Sequence, residues 1–300
     1  MENKFYEVRK ELKNVKDITT LLEMTGLDWD VAEVDATYPN GAKVPNLKLI
    51  VKVVDGEPVY EEYLGKPTDR YNTISNKEAF DFLNTLIDDI TFENAMELHN
   101  GKQVIISTNI GSRYVDAIGE TVDCKMVVMH SYDGSTCLSV NIIPLAGDKP
   151  LNLPLTHQKR NYALKHTHNV KGKMKVANEC LSLAKNYLDE FMTESNRLTN
   201  IPITKEGVER FAEFAFKMPA DMKTEETKVK NVEKRRKELL KCIYETEMNS
   251  AMDFIIGVSD YVAKLEPEKE SKGYQQNKFA KVIKGYDILD MAYKYVRNTK

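Results

Sequence analysis

Between Ser75 and Ile143 the spacing of apolar positions changes from helical to extended. Phe80, Leu83, Ile87 and Ile90 recur three or four residues apart, which predicts one sticky face on a helix. Ser75-Asn76-Lys77-Glu78 just before them is a helix start. The serine hydroxyl can cap the first turn while the glutamate reaches back to a free N–H. From Phe92 onward alternate positions are apolar: Phe92, Met96 and Leu98, then Val104, Ile106 and Ile110 beyond Asn100-Gly101. A second alternating pair sets Met126, Val128 and His130 against Leu138, Val140 and Ile142, with Asp133-Gly134 between them. Asn-Gly and Asp-Gly between alternating runs predict hairpins, because a type I′ turn needs positive φ at both central residues. The expectation is a twisted antiparallel sheet with the capped helix across one face.

The flanking stretches extend this plan. Residues 3–25 read as two short helices, the second capped by Asp17 and ended by Gly26. Trp29, Val31 and Val34 begin extended structure, Asn40-Gly41 turns it, and Leu47–Val54 is β-prone. Asp55-Gly56 then returns the chain into Val59-Tyr60 and Tyr63-Leu64. Prolines 144, 150 and 154 with Gly147 interrupt regular pattern from Pro144 to Asn169. Helical period takes over with Met174, Ala177, Leu181, Ala184 and Leu188. After Ile201-Pro202-Ile203 a helix capped by Thr204 carries Phe211, Phe214 and Ala215. The charged stretch 223–241 is expected to continue as helix through Leu239, Ile243 and Met252. A last seam runs Phe279, Val282, Tyr286, Leu289, Tyr293 and Val296. The fold class expected is α+β: residues 1–169 form a hairpin sheet with a packed helix, and residues 170–300 are all helical.

Composition narrows the options. The chain of 300 residues is 42% hydrophobic and 30% charged, which suits a protein with a full core. No apolar run approaches the ~18 residues of a membrane span, and Met1-Glu2-Asn3-Lys4 does not start a secretion signal. A cytoplasmic protein is therefore expected. Cys124, Cys137, Cys180 and Cys242 form no C-x-x-C and read as free thiols. The net charge of −3 conceals an asymmetry. Residues 1–148 hold 14 Lys and Arg against 25 Asp and Glu, whereas residues 149–300 hold 29 against 21. Either the halves attract one another or the basic half meets an acidic partner.

The most one-sided stretch is Lys149–Asn178. It holds Lys149, Lys159, Arg160, Lys165, Lys171, Lys173 and Lys175 with no Asp or Glu, together with Tyr162, His157, His166 and His168. Clustered cations displace counterions from a phosphate backbone, and an aromatic ring stacks on a base. The candidate nucleic-acid contacts are thus Lys159, Arg160, Tyr162, Lys165, His166, His168, Lys171, Lys173 and Lys175; a solvated loop that balances the acidic half is the plain alternative. His157, His166 and His168, with His130, Cys124 or Cys137 added, raise a zinc site, but no C-x-x-C, H-E-x-x-H or carboxylate cluster stands beside them. Phosphate-loop and dinucleotide glycine motifs are absent, as is G-x-S-x-G, so no catalytic residue and no cofactor is assigned. Lys234-Arg235-Arg236-Lys237, between Glu233 and Glu238, reads as a solvated helix face or a second phosphate patch.

His130-Ser131-Tyr132-Asp133-Gly134-Ser135 resembles a motif of the phage/plasmid-like proteins grouped as domain of unknown function 932. Other short matches follow in order: Trp29-x-Val31, Tyr71 before Asn76-x-Glu78-Ala79-Phe80, Phe92-Glu93, Gly101-Lys102, Pro144, His166-Thr167-His168-Asn169-Val170, Ser259-Asp260-Tyr261 and Gly285. Where members carry Arg-Val-Val-Cys-x-Asn after the proline, this chain has IPLAGDKPLNLPL over Ile143–Leu155, so no role of that cysteine or asparagine carries over. The resemblance implies a phage, prophage or plasmid setting and a site of action in the bacterial host cytoplasm. The expected order of helix and hairpins beside a basic surface is also similar to the core of phage single-strand annealing recombinases, a likeness of topology alone. Three readings stay open. One is a non-enzymatic protein that binds single-stranded nucleic acid and anneals strands as a homo-oligomer. Another is an inhibitor of a host defence protein whose acidic half mimics nucleic acid. The third is a metal-dependent hydrolase using the histidines.

Overall fold

Asp55 and Gly56 have φ of 53° and 84° and join β2 (Lys43–Val54) to β3 (Glu57–Gly65), with Val54 opposite Glu57. This is the two-residue turn that an Asp-Gly pair between β-prone runs dictates. With β1 (Asp30–Thr37) these strands form a three-stranded antiparallel sheet in the order β1-β2-β3. The structure, a computed structural model, describes residues 8–67, 73–135, 138–147, 149–151, 153–155, 161–164, 170–221, 225–265 and 287–298. Between 161 and 183 it describes side chains only at Glu179 and Ser182.

A second antiparallel sheet contains β4 (Thr91–Leu98), β5 (Gln103–Val115), β6 (Glu120–Ser131), β7 (Leu138–Ala146) and β8 (Lys149–Pro150) in that order; β9 (Asn161–Leu164) also pairs with β7. The helices are α1 (Ile18–Thr25), α2 (Asn76–Phe80), α3 (Val170–Thr199), α4 (Lys205–Ala215), α5 (Glu226–Tyr244), α6 (Ala251–Ala263) and α7 (Asp287–Asn298). The molecule is thus α+β, with two antiparallel sheets and a helical C-terminal part. Its chain divides into two compact units. The first comprises 1–111, 125–142 and 159–185; the second comprises 112–124, 143–158 and 186–300. The boundary expected near 169 falls at 165–169, outside the described residues.

In the first unit the local signals work largely as expected. Asp17 accepts from the Thr20 amide at 2.8 Å and Gly26, at φ 67°, closes α1. Ser75 and Glu78 form a reciprocal capping box on α2. The helix then departs from expectation: it ends at Phe80, and Asp81–Leu86 continue as a 3-10 helix. Phe80, Leu83 and Leu86 are all buried at a spacing of three, the period of the tighter helix, whereas Ile87 is only partly covered. Side chains hold the tight turns: Thr85 donates to the Phe82 carbonyl at 2.7 Å and Asn84 donates to Asp81. Asn84 also accepts the Ile18 amide at 2.9 Å, which ties this segment to the start of α1. The Asn100-Gly101 turn differs too. His99, Asn100 and Gly101 all have positive φ, and the first bridging pair is Leu98 with Gln103, so the loop has four residues. The core here is Leu12, Ile18, Leu21, Phe80, Leu83, Phe92, Ile106, Met126 and Val128.

In the second unit Pro144 lies within β7 rather than ending it. Its carbonyl accepts from the Leu151 amide at 2.9 Å, and Leu145 and Ala146 pair with Pro150 and Lys149. The missing N–H would have faced the Leu151 carbonyl, which accepts from the Leu153 amide at 2.8 Å instead, so no acceptor is stranded there. Thr204 caps α4 as expected. Within the charged stretch expected as helix, α5 runs from Glu226 and ends at Tyr244, and Met252 belongs to a new helix with its own Ser250–Asp253 capping box. α7 docks on the end of α3: the Tyr293 hydroxyl donates to Glu194 at 2.7 Å, beside the Arg197 fork on the same carboxylate. Burial of Glu194 works against its charge, but these bonds outweigh it and leave the carboxyl below its ordinary value. No helix among the described residues is long and apolar enough to cross a membrane.

Candidate functional site

The residues of the His130–Ser135 motif belong to a buried clasp in the first unit. Tyr132, 1% exposed, follows the end of β6 and receives its place from a backbone bond to the Lys102 carbonyl at 2.9 Å. Its hydroxyl donates to Asn76 Oδ1 at 2.9 Å, and Asn76 Nδ2 donates to the Leu27 carbonyl at 2.9 Å. Asn76 opens α2, so the capping box that fixes this helix also aims the amide. His130 is fully buried, with its ring edge-on to Tyr132 (centroids 4.5 Å apart) and to Phe80 (6.3 Å); Trp29 stands 5.6 Å from Tyr132. Gly65 passes so close that an added Cβ would lie 2.1 Å from the Tyr132 carbonyl oxygen, so only glycine fits there.

Chemically, this arrangement holds a shape. The Tyr132 proton goes to a neutral amide oxygen, a poor base, and the amide's own donor is spent on a carbonyl. Trp29, Asn76, Phe80, Gly101-Lys102 and His130–Tyr132 lie far apart in sequence and meet here. These motifs of the resemblance therefore encode one piece of architecture, whereas Pro144 and Ser259-Asp260-Tyr261 belong to the second unit. Beside them Lys52, 8% exposed, bridges Glu62 at 3.0 Å and Glu97 at 2.9 Å while lying 4.6 Å over the Trp29 ring. Burial opposes its charge, but the two carboxylates outweigh that and raise its pKa above the ordinary lysine value. Gly101 is needed at this point, since a Cβ there would meet Lys52 Cε at 2.5 Å. Deeper still, Lys125 and Glu93 form an ion pair with side chains 4% and 6% exposed.

The expected nucleic-acid contacts divide between two elements and the stretches around them. Tyr162 is on β9, opposite Val140 of β7, and Lys171, Lys173 and Lys175 are in the first turns of α3. An α-helix turns about 100° per residue, so positions 171 and 175 share a face and position 173 lies about half a turn away. Lys159, Arg160, Lys165, His166 and His168 lie outside the described residues, as does His157. Among the described residues no group of three or more His, Cys, Asp or Glu is placed to hold a metal, and Cys124 and Cys242 are buried.

The basic tetrad of α5 is partly committed to structure. Arg236 donates to the Phe216 carbonyl at 2.8 Å and to the Glu213 carbonyl at 3.3 Å, which satisfies the open C-terminal end of α4. Sequence pattern did not reveal this role: a cation capping a different helix leaves no local signature. Lys149, part of the acid-free stretch, pairs with Glu120.

Residues 63–281 match the family described as domain of unknown function (DUF932). The chain belongs to this family. The DUF932 match begins at Tyr63 and takes in Asn76, Phe80 and His130–Tyr132 of the clasp, but not Leu27 or Trp29, together with β9 and the whole of α3 to α6. It leaves β1 and β2 outside. No curated protein and no solved structure matches the chain.

Proposed function

We propose that this DUF932 member is a phage-encoded, non-enzymatic protein that binds single-stranded nucleic acid in the host cytoplasm and serves recombination or replication. The observation that carries the reading is the run of seven Lys and Arg without one acid from Lys149 to Asn178. The part of it that includes Tyr162 and Lys171 to Lys175 belongs to a strand and a helix. Cations there would neutralise phosphates and Tyr162 would stack on a base. Annealing of strands by an oligomer, in the manner of phage annealing proteins, is the extension of this reading. The test is anisotropy of a labelled single-stranded oligonucleotide across a salt series. Log affinity is expected to fall linearly with log salt, at about −0.7 per phosphate contact, and the triple change Lys171→Glu, Lys173→Glu, Lys175→Glu should abolish binding while circular dichroism is unchanged. Binding insensitive to both would overturn the proposal.

A second reading has its own support. From Asp28 to Gly65 the three-stranded sheet region carries eight Asp and Glu against three Lys, and Tyr38, Tyr60 and Tyr63 are exposed. Acidic and aromatic side chains together suit a basic protein surface, as an inhibitor of a host defence protein would require. Capture of a host protein that survives nuclease treatment of the lysate, and fails with Tyr60→Ala, supports this reading; loss of capture on nuclease treatment refutes it.

A further inference from the structure

A pocket of about 140 Å³ opens in the second unit where the Ile201-Pro202-Ile203 segment meets the start of α4, Ala251 of α6, and Tyr295 and Val296 of α7. Ile201, Pro202, Ile203, Ala251 and Val296 give it an apolar side, Thr204 and Tyr295 add hydroxyls, and Arg210 carries its one charge. That guanidinium is exposed; among the described residues its one hydrogen bond runs from Nε to the Glu206 carbonyl at 3.3 Å, and it makes no ion pair. Glu206, one turn earlier, thus offers Arg210 its backbone and not its carboxylate.

The walls are built to stay open. Tyr295 is fixed by its hydroxyl on the Gly207 carbonyl at 2.9 Å and by ring contacts with Phe211 at 5.4 Å and Phe254 at 6.4 Å. The Ala251 amide donates to the Ile201 carbonyl at 2.8 Å, so the Ile-Pro-Ile segment is pinned to the start of α6. Gly207 keeps one wall low: a Cβ there would meet only ordinary contacts, the nearest being Thr204 Oγ1 at 3.4 Å.

We infer that this pocket binds an apolar group bearing a carboxylate, with the group against Ile201, Ile203 and Val296 and the carboxylate on the Arg210 guanidinium. Size sets the scale, since a cavity of about 150 Å³ takes up a benzene ring. Charge sets the chemistry: a planar guanidinium with unused donors pairs with carboxylate in a two-pronged fork. Such a group occurs as a free small acid or as the C-terminal residue of a peptide with a Leu or Phe side chain. The inference is independent of the nucleic-acid reading, because none of the residues proposed to contact phosphate lines the pocket.

The experiment titrates the full-length protein with benzoate, and separately with an octapeptide ending in a free-carboxyl leucine, while recording methyl NMR shifts of Ile201, Ile203 and Val296. Saturable shifts are expected, with a benzoate Kd on the order of 1 mM. Arg210→Gln should weaken binding about tenfold or more. Gly207→Ala, which adds a methyl without a clash, should weaken it in the folded protein. Benzamide and the amidated peptide are the neutral controls. Shifts with benzoate alone assign the pocket to free acids, and shifts with the peptide alone assign it to chain termini. Neutral probes that bind as well as the acids, binding unaltered by Arg210→Gln, or no saturable shift with either acid each overturn the inference.

Discussion

Lys52 in the first unit and Arg210 in the second are both cations beside an aromatic ring or an apolar side chain, with opposite surroundings. Lys52 is 8% exposed and holds two carboxylates at about 3 Å over an indole ring. Arg210 is exposed and spends one N–H on a backbone carbonyl. The contrast separates charges that hold a shape from charges left over for something else. A buried cation must be matched or the fold loses several kcal/mol; an exposed cation carries no such obligation, so its unused donors are open to a ligand.

The sharpest way to break this comparison is the Glu93–Lys125 pair, the most buried of the matched charges. Glu93→Gln alone should lower unfolding free energy by about 3–5 kcal/mol, because a buried lysine loses the Glu93 carboxylate while staying in place. The double change Glu93→Leu, Lys125→Met should recover most of that loss, read by urea denaturation of all three proteins. A single variant as stable as the parent would show that the pair's burial imposes no matching requirement.

Next in size is the clasp. Tyr132→Phe keeps the ring against His130 and Trp29 and removes one hydrogen bond, leaving Asn76 Oδ1 buried; a loss of about 1–2 kcal/mol is expected. Asn76→Asp is the informative companion. A carboxylate at that position should also disturb the bond to the Leu27 carbonyl, so it should cost more than the tyrosine change.

The smallest effect concerns pH and the Tyr293–Glu194 contact. The Glu194 carboxyl sits below its ordinary value of 4.5 in the folded protein. Its contribution is therefore complete above that value and is lost as pH falls through the folded pKa. Denaturation curves between pH of about 6 and about 3 should show Tyr293→Phe losing less stability on acidification than the parent, since part of the depression is gone. Parallel acid limbs for the two proteins would assign the depression to Arg197 and Arg297.

What the sequence disclosed follows from range. Asp17, Gly26, Ser75, Thr204 and Asp55-Gly56 act on their own few neighbours, and each was legible. The 3-10 continuation after Phe80 was misread because spacings of three and of four were both present, and Asp81, Asn84 and Thr85 decided between them through side-chain bonds. Pro144 marked an interruption by rule; β7 passes through it because the facing Leu151 carbonyl takes its bond from the Leu153 amide instead. The Arg210 pocket was hidden for a different reason. Its walls come from positions 201–210, 251 and 295–296, and the one local hint, Ile201-Pro202-Ile203, reads equally well as a plain helix break.

The division of the chain has a consequence for biogenesis. The first unit takes its last segment from 159–185, and the second takes its first from 112–124. During synthesis from the N-terminus, neither unit has all its parts until well over half the polypeptide has left the ribosome. A nascent chain halted between residues 112 and 185 carries two unfinished cores, so chaperone dependence and proteolysis of truncated products should be concentrated in that window.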